Sequence, residues 1–306
     1  MMHEDNILKI NTRLKPRNDF VFQRLFGELE TKDSLISLLN AILRLDDQIV
    51  DLTVIDNKQL TKDFIDDKTG RLDIRAETMD HLQIDIEMQL TDQANMPRRT
   101  LFYLSKMYVE SIKTGGKYEN LKKTIAINIV DFNVFDISRF HSTFHFYEDH
   151  EEAFMLTDAM EVHFIEYPKF LDAEKNLHDP LHRWLLFLNE KLPEDTLKEL
   201  MKMDRLIKES KERLDWLSSD AETRRLYEAR EHAIIEWNSN MSESEAKGKA
   251  EGRVEGRTEG RTEGRSGRNS EIVMNMIDMG LDISVIVKAT GLNVKEIEQI
   301  KNTMGM

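Results

Sequence analysis

Residues 72–89 read LDIRAETMDHLQIDIEMQ, and their alternation decides how the chain is to be folded. Leu72, Ile74 and Ala76 share one parity, and Asp73, Arg75 and Glu77 the other. Ile84, Ile86 and Met88 alternate in the same way with Asp85, Glu87 and Gln89. Side chains along a strand point to opposite faces with period two, so each half has one apolar and one polar face. The segment around Asp80 joins the halves into a hairpin. An odd-length loop aligns the polar faces, which sets position 73 opposite 87, Arg75 opposite Asp85 and Glu77 opposite Gln83. Directly opposed Cβ atoms lie about 4.5–5.5 Å apart. Carboxylates at 73 and 87 would repel each other, and a hard divalent cation relieves that repulsion. Mg2+ prefers carboxylate, carbonyl and water oxygens. Such an ion lowers the pKa of a bound water and stabilises charge on a transferring phosphoryl group. An ordinary hairpin with a solvated polar face has the same alternation. Arg75–Asp85 reads as a structural ion pair in either case.

Working outward, residues 16–43 carry Phe20, Leu25, Phe26, Leu35, Leu38, Leu39, Ile42 and Leu43 at helical spacing, with Gly27 splitting them into two helices. Ile49–Asp56 reads as a strand. Asn95–Thr114 reads as an amphipathic helix closed by Gly115-Gly116. Thr124–Phe132, TIAINIVDF, is nearly all apolar and predicts a strand buried on both faces. Further strands are expected near Thr143–Tyr147 and Glu161–Tyr167. Residues 179–237 are helix-rich.

The 306 residues carry a formal charge of −14, which weighs against a passive nucleic-acid coat, because phosphate contacts need Lys and Arg. One window is locally basic: between Gln93 and Lys123, seven Lys and Arg face two Glu, a net of +5. There is no cysteine, so no disulfide framework and no Cys-based zinc site is expected. The nine histidines lack metal-binding spacing such as H-E-x-x-H, and no phosphate-cradling glycine loop follows a strand. The start of the chain has no signal-peptide pattern, and no stretch approaches the ~20 apolar residues of a spanning helix. A soluble, cytoplasmic protein without membrane contact is expected.

Residues 248–268, GKAEGRVEGRTEGRTEGRSGR, repeat with period four. Glu and Arg stand two apart, so a helix would stack Glu over Glu and gain no opposite-charge i,i+4 pairs. Each glycine costs roughly 0.8–1.0 kcal/mol against alanine. The segment reads either as a flexible linker or as a helix whose glycine stripe allows close chain-to-chain approach. From Ser270 to Lys301 helical periodicity returns, broken at Gly280 and Gly291, with Asn293 and Glu296 as a capping-box start. Three short helices are expected, either helix-turn-helix-like or a docking and oligomerisation unit. A homo-oligomer formed through the helical C-terminal region is compatible with both.

The ordered set LKPRNDFVFQRLFG (from Leu14), DDKTGRLDIRAE (from Asp66), IDIEMQ (from Ile84) and RRTLFYLSKMY…GGKYENLKKTIAINIVDF (from Arg98) resembles the recombination-promoting nucleases, also described as PD-(D/E)XK transposases. The resemblance runs from Leu14 to about Phe135 and continues more weakly beyond. It implies an α/β fold with a PD-(D/E)XK restriction-endonuclease-like core, a mixed sheet flanked by helices, over residues 1–170. A helical region (171–247), the repeats as linker or helix (248–269) and a small helical tail (270–306) follow. It implies metal-dependent cleavage of DNA linked to recombination or mobile-element transfer. Asp73, Glu87 and the backbone carbonyl of Met88 would be metal ligands for Mg2+, or for Mn2+ or Ca2+. Gln89 stands where the superfamily carries lysine, and an amide neither titrates nor carries charge. Lys68, or an arginine of the following helix, is expected to supply that charge. Asp19 matches an acidic position of the first helix; an N-cap or a surface charge is the plainer reading. Arg98, Arg99, Tyr103 and Lys106 are the expected DNA contacts, the last three sharing a helix face. The alternative is a nuclease fold with weak or lost chemistry, serving as a DNA-binding or regulatory assembly protein.

Overall fold

The structure is a computed structural model and describes residues 13–55, 74–92, 95–151 and 153–303. The Asn18 side chain caps α1 (Asp19–Phe26), accepting from the amides of Phe20 and Val21. The helix stops at Gly27, where a Cβ would lie 2.8 Å from the Gln23 carbonyl oxygen and 3.1 Å from Ile74 Cγ1. Glycine is required there by close approach. The second helix, α2 (Lys32–Leu43), ends on Arg44 in the left-handed conformation, φ 50°.

Among the described residues, six strands form one sheet. They are β1 (Leu52–Ile55), β2 (Ile74–Thr78), β3 (Gln83–Gln89), β4 (Thr124–Val130), β5 (His141–Tyr147) and β6 (Met155–Glu166). The order is β1-β2-β3-β4-β6-β5. Strands β1 to β3 are antiparallel, β3, β4 and β6 are parallel, and β5 returns antiparallel at the edge. The hairpin register is the one its alternation requires, with Arg75 opposite Asp85 and Glu77 opposite Gln83. Asp73 and Lys68 lie outside the described residues. All seven residues of β4 are buried, as its apolar sequence predicts.

Parity divides the two faces. Ile74, Ala76, Ile84, Ile86 and Met88, with Ile125, Ile127 and Ile129, enter the main core. That core also holds apolar residues of α1, α2, α5 (Pro180–Phe187), α6 (Glu194–Met203) and α7 (Arg205–Ser219). The helix-rich stretch after the sheet therefore shares the sheet's core; a short α4 (Tyr167–Asp172) leads into it. On the other face Ala126, Val130, Val162 and Phe164 pack against Met96, Leu104 and Met107 of α3 (Met96–Glu110), the crossover between parallel β3 and β4.

The chain divides into two compact units, Met1–Ile234 and Ile235–Met306. The repeats are helical, contained in the 58-residue α8 (Ala221–Asp278), which replaces the flexible-linker reading. The Arg and Glu residues between the glycines are good helix formers, and the Thr258 and Thr262 hydroxyls donate back to the carbonyls of Val254 and Thr258. The tail's first expected helix is the end of α8; α9 (Ile283–Thr290) and α10 (Val294–Thr303) complete it. Val273, Ile286 and Ile297 form its small core. The Asn293–Glu296 capping box is present in both directions, at 2.7 and 3.0 Å. No helix of the described residues is long and apolar enough to cross a membrane.

Candidate active site

Because β2 and β3 bury their even-numbered residues, Arg75, Glu77, Asp85, Glu87 and Gln89 form a polar strip on the α3 side of the sheet. Strand β4 adds Asn128, in register with Glu87. Helix α3 runs back over this strip from Met96-Pro97. In its first turn Arg99 Nη2 donates to Glu87 Oε1 at 2.6 Å, with both side chains 13% exposed. The same nitrogen lies 3.5 Å from Gln89 Oε1. Gln89 Nε2 donates to the Thr91 carbonyl at 3.0 Å, which turns the amide oxygen toward Arg99. One residue further along α3, the Thr100 hydroxyl donates to Asn128 Oδ1 at 3.0 Å, and Asn128 Nδ2 donates to the His163 carbonyl at 3.1 Å.

The rest of the strip is a row of acid–base contacts. Arg75 Nε stands 3.5 Å from Asp85 Oδ1, and its Nη1 is 3.8 Å from Glu110 Oε2. Lys106 Nζ reaches the other Glu110 oxygen at 3.6 Å. Glu77 is met by His81 Nδ1 at 2.9 Å and by Lys122 Nζ at 2.5 Å. Hydrogen bonds from His81 and Lys122 hold the Glu77 carboxyl below its ordinary range. A half-buried carboxylate with a cation in contact is stable as the anion, whereas removing the cation would leave an uncompensated charge.

The family described as PD-(D/E)XK nuclease family transposase matches residues 16–244, a span that takes in all six strands and helices α1 to α7. The chain belongs to this family. Comparison with curated proteins and with solved structures returned no match. For a PD-(D/E)XK chain the sheet is built as expected, and Glu87 and Gln89 stand two apart on one face of β3. Met88 lies between them with its side chain buried on the opposite face. Lys68 cannot be compared with Gln89, since it falls outside the described residues. Arg99 does lie beside Gln89 and is an arginine of the following helix.

Asp19 is the first residue of α1, a helix that contributes to the core on the sheet face opposite α3. Its carboxylate is gripped by the Arg230 guanidinium, whose Nε is 3.0 Å from both oxygens, and it accepts from the Phe20 amide at 2.8 Å. The N-cap is Asn18 instead. Arg98 is exposed, whereas Arg99, Tyr103 and Lys106 are half-buried. The +5 window is locally neutralised in space: Arg99, Lys106, Lys117, Lys122 and Lys123 are paired with Glu87, Glu110, Glu119, Glu77 and Glu161. Among the described residues, no group of three or more Asp, Glu or His side chains is placed to hold a metal ion. An ion that keeps several waters does not require one, and an oxygen donor such as Glu87 suits it.

Sequence reasoning did not anticipate the link from Arg75 through Glu110 to Lys106, nor the bridge from Thr100 through Asn128. The available signal for the second was Asn128 itself, the one amide in the apolar run TIAINIV.

Proposed function

We propose that this chain is a metal-dependent DNA endonuclease that hydrolyses phosphodiester bonds and promotes recombination or mobile-element transfer. The observation that carries this reading is the grouping of Glu87, Gln89 and Arg99, which supplies a carboxylate, an amide and a fixed cation at one point of the α3 face. Asp73, Glu87 and the Met88 carbonyl are the proposed holders of a divalent ion, Mg2+ first and Mn2+ or Ca2+ as alternatives. When bound, the ion supplies a water of lowered pKa and charge stabilisation at the phosphoryl group. Arg99 provides the positive charge that the superfamily pattern takes from lysine, and as a guanidinium it stays protonated and cannot act as a base. Gln89 orients a water or a phosphate oxygen through its amide. Arg98, with Tyr103 and Lys106 on α3, is the proposed DNA-facing group.

A second reading is a DNA-binding or regulatory assembly protein of weak chemistry. The pairing of most cations in the basic window with carboxylates favours it, because paired cations contribute less to phosphate binding. Cleavage of supercoiled and linear DNA by purified protein, with Mg2+, Mn2+ or Ca2+ and with chelator, separates the two. Metal-dependent cleavage that disappears in Glu87→Ala supports the endonuclease. DNA retention without cleavage under every metal supports the second reading.

A further inference from the structure

In a helix, residues four apart fall nearly in line, and neighbouring positions are turned by about 100°. The repeats in α8 therefore sort into four rows: glycine (Gly248 to Gly264), cation (Lys249 to Arg265), small or apolar (Ala250 to Ser266) and, from Glu251 to Glu263, acid. The cation row lies about +100° and the acid row about −60° from the glycine row. Like charges stack within each row at i,i+4, which is unfavourable. Opposite charges two apart cannot meet, and among the described residues no ion pair involves Glu251, Glu255, Glu259, Glu263 or the arginines between them. A Cβ built on any of the five glycines would find nothing within 4 Å. Five glycines together cost on the order of 4–5 kcal/mol against alanine, and isolated helices are marginal even without that burden. Among the described residues nothing packs on the glycine row, which leaves this face to a contact from another molecule.

We propose that this segment pairs, in parallel, with the same segment of a second copy of the chain. Charge complementarity identifies the occupant and the polarity. Around a two-fold axis parallel to both helices, the +100° side of one chain borders the −60° side of the other. Arginine then meets glutamate along both edges of the glycine seam, and the like-charged rows gain opposite-charged neighbours. An antiparallel pair would set arginine against arginine and glutamate against glutamate. A four-residue period exceeds the 3.6-residue turn, so the row drifts around the helix and the pair crosses right-handed. Closest approach falls at Gly252, Gly256 and Gly260, where the missing side chains let the backbones come together. The tail helices leave the glycine row open: the groove they form with α8 is lined by Thr262, Arg265, Ser266 and Asn269 together with Leu292 and Ile300, on the small-residue and cation rows past the C-terminal end of the proposed seam. This pairing does not depend on the nuclease reading.

The test uses the full chain. Light scattering coupled to size exclusion should give twice the 35.9 kDa chain mass at tens of micromolar. Two charge-reversed variants follow, one with Arg253, Arg257 and Arg261 changed to Glu, the other with Glu255, Glu259 and Glu263 changed to Arg. Each alone should be monomeric, and an equimolar mixture should recover the dimer. Polarity is read with single cysteines, since the chain has none. Gly252→Cys and Gly260→Cys should each form a disulfide-linked dimer alone under mild oxidation. A monomeric parent chain would overturn the proposal, as would charge-reversed variants that self-associate like the parent. A disulfide formed only on mixing the two cysteine variants would overturn the parallel arrangement.

Discussion

Arg99 and Glu87, twelve residues apart in the chain, share a 2.6 Å ion pair that ties the first turn of α3 to the polar face of β3. It is the point at which the crossover helix, the hairpin and the proposed chemistry meet. Each member is the reason the other is tolerated at 13% exposure.

Removing the carboxylate should therefore separate chemistry from folding. Glu87→Ala and Asp73→Ala should each reduce DNA cleavage to background. Glu87→Ala should also lower stability by roughly 1–3 kcal/mol, because the Arg99 guanidinium loses its acceptor. Glu87→Gln should restore much of that stability and none of the cleavage. Nicking assays beside urea denaturation check this, and parental cleavage by either alanine variant would remove these carboxylates from the proposed site.

The charge at the site should be transferable from helix to strand. Arg99→Gln should lose activity, and adding Gln89→Lys in that background should regain part of it. Gln89→Lys alone should stay active but fold less stably, since two cations would stand near the present 3.5 Å contact. Like charges 4 Å apart cost between about 1 and 4 kcal/mol, depending on solvation. A double variant no more active than Arg99→Gln would show that arginine geometry, and not charge, is what the site uses.

Asn128→Leu should cost several kcal/mol, although it matches its apolar neighbours in size and character. It strands the buried Thr100 hydroxyl, at about 1–3 kcal/mol, and removes the side-chain bond to the His163 carbonyl. Thr100→Val should recover part of the loss, and a double-mutant cycle measures the coupling. Additive effects would mean the Thr100–Asn128 bond contributes little.

Acid should weaken the fold through the β5–β6 histidines. His163 Nε2 lies 2.6 Å from Glu161 Oε1, and its Nδ1 lies 2.9 Å from His141 Nε2. Burial, aided by the nearby His163 and Arg44, pushes the His141 imidazole down to about 4. Burial would raise the Glu161 carboxyl, but the His163 hydrogen bond and the charges of His163 and Lys123 outweigh it and bring it down to about 2. Both folded values lie below the ordinary ones of 6.5 and 4.5. The His141 contribution is thus complete above pH 6.5 and lost as pH falls toward 4; that of Glu161 is complete above 4.5 and lost toward 2. Urea midpoints between pH 4.5 and 7 should rise with pH, with a slope of at most about 1.4 kcal/mol per pH unit from His141. His141→Gln should flatten that rise, and an unchanged slope would assign it elsewhere.

The parts of this architecture that depend on parity were readable in the sequence. Alternation fixed the Arg75–Asp85 register, and the unbroken apolar run of β4 announced burial on both faces. What the linear text could not carry was the direction in which α3 crosses the strip. The spacing of Arg99, Tyr103 and Lys106 defines a helix face but not its target; it suits a phosphate contact, whereas Arg99 lies on Glu87. The basic window misled for the same reason: Lys122 and Lys123 are met by Glu77 and Glu161, 45 and 38 positions away in sequence. Asp19 is bound by Arg230 at a separation of 211 residues. Strand β6 begins at Met155, earlier than expected, because its first residues are largely exposed and lack a strand's apolar signal.

The tight passage at Gly27 has a genetic consequence. A methyl group there has to displace the Gln23 carbonyl or the Ile74 side chain, and Ile74 is the β2 residue paired with Ile86, next to Glu87. A change of one carbon on the far layer would thus be transmitted through the sheet to a residue whose own chemistry is intact. In a screen for conditional alleles, position 27 should yield proteins that work in the cold and fail when warmed, with every functional side chain still in the gene.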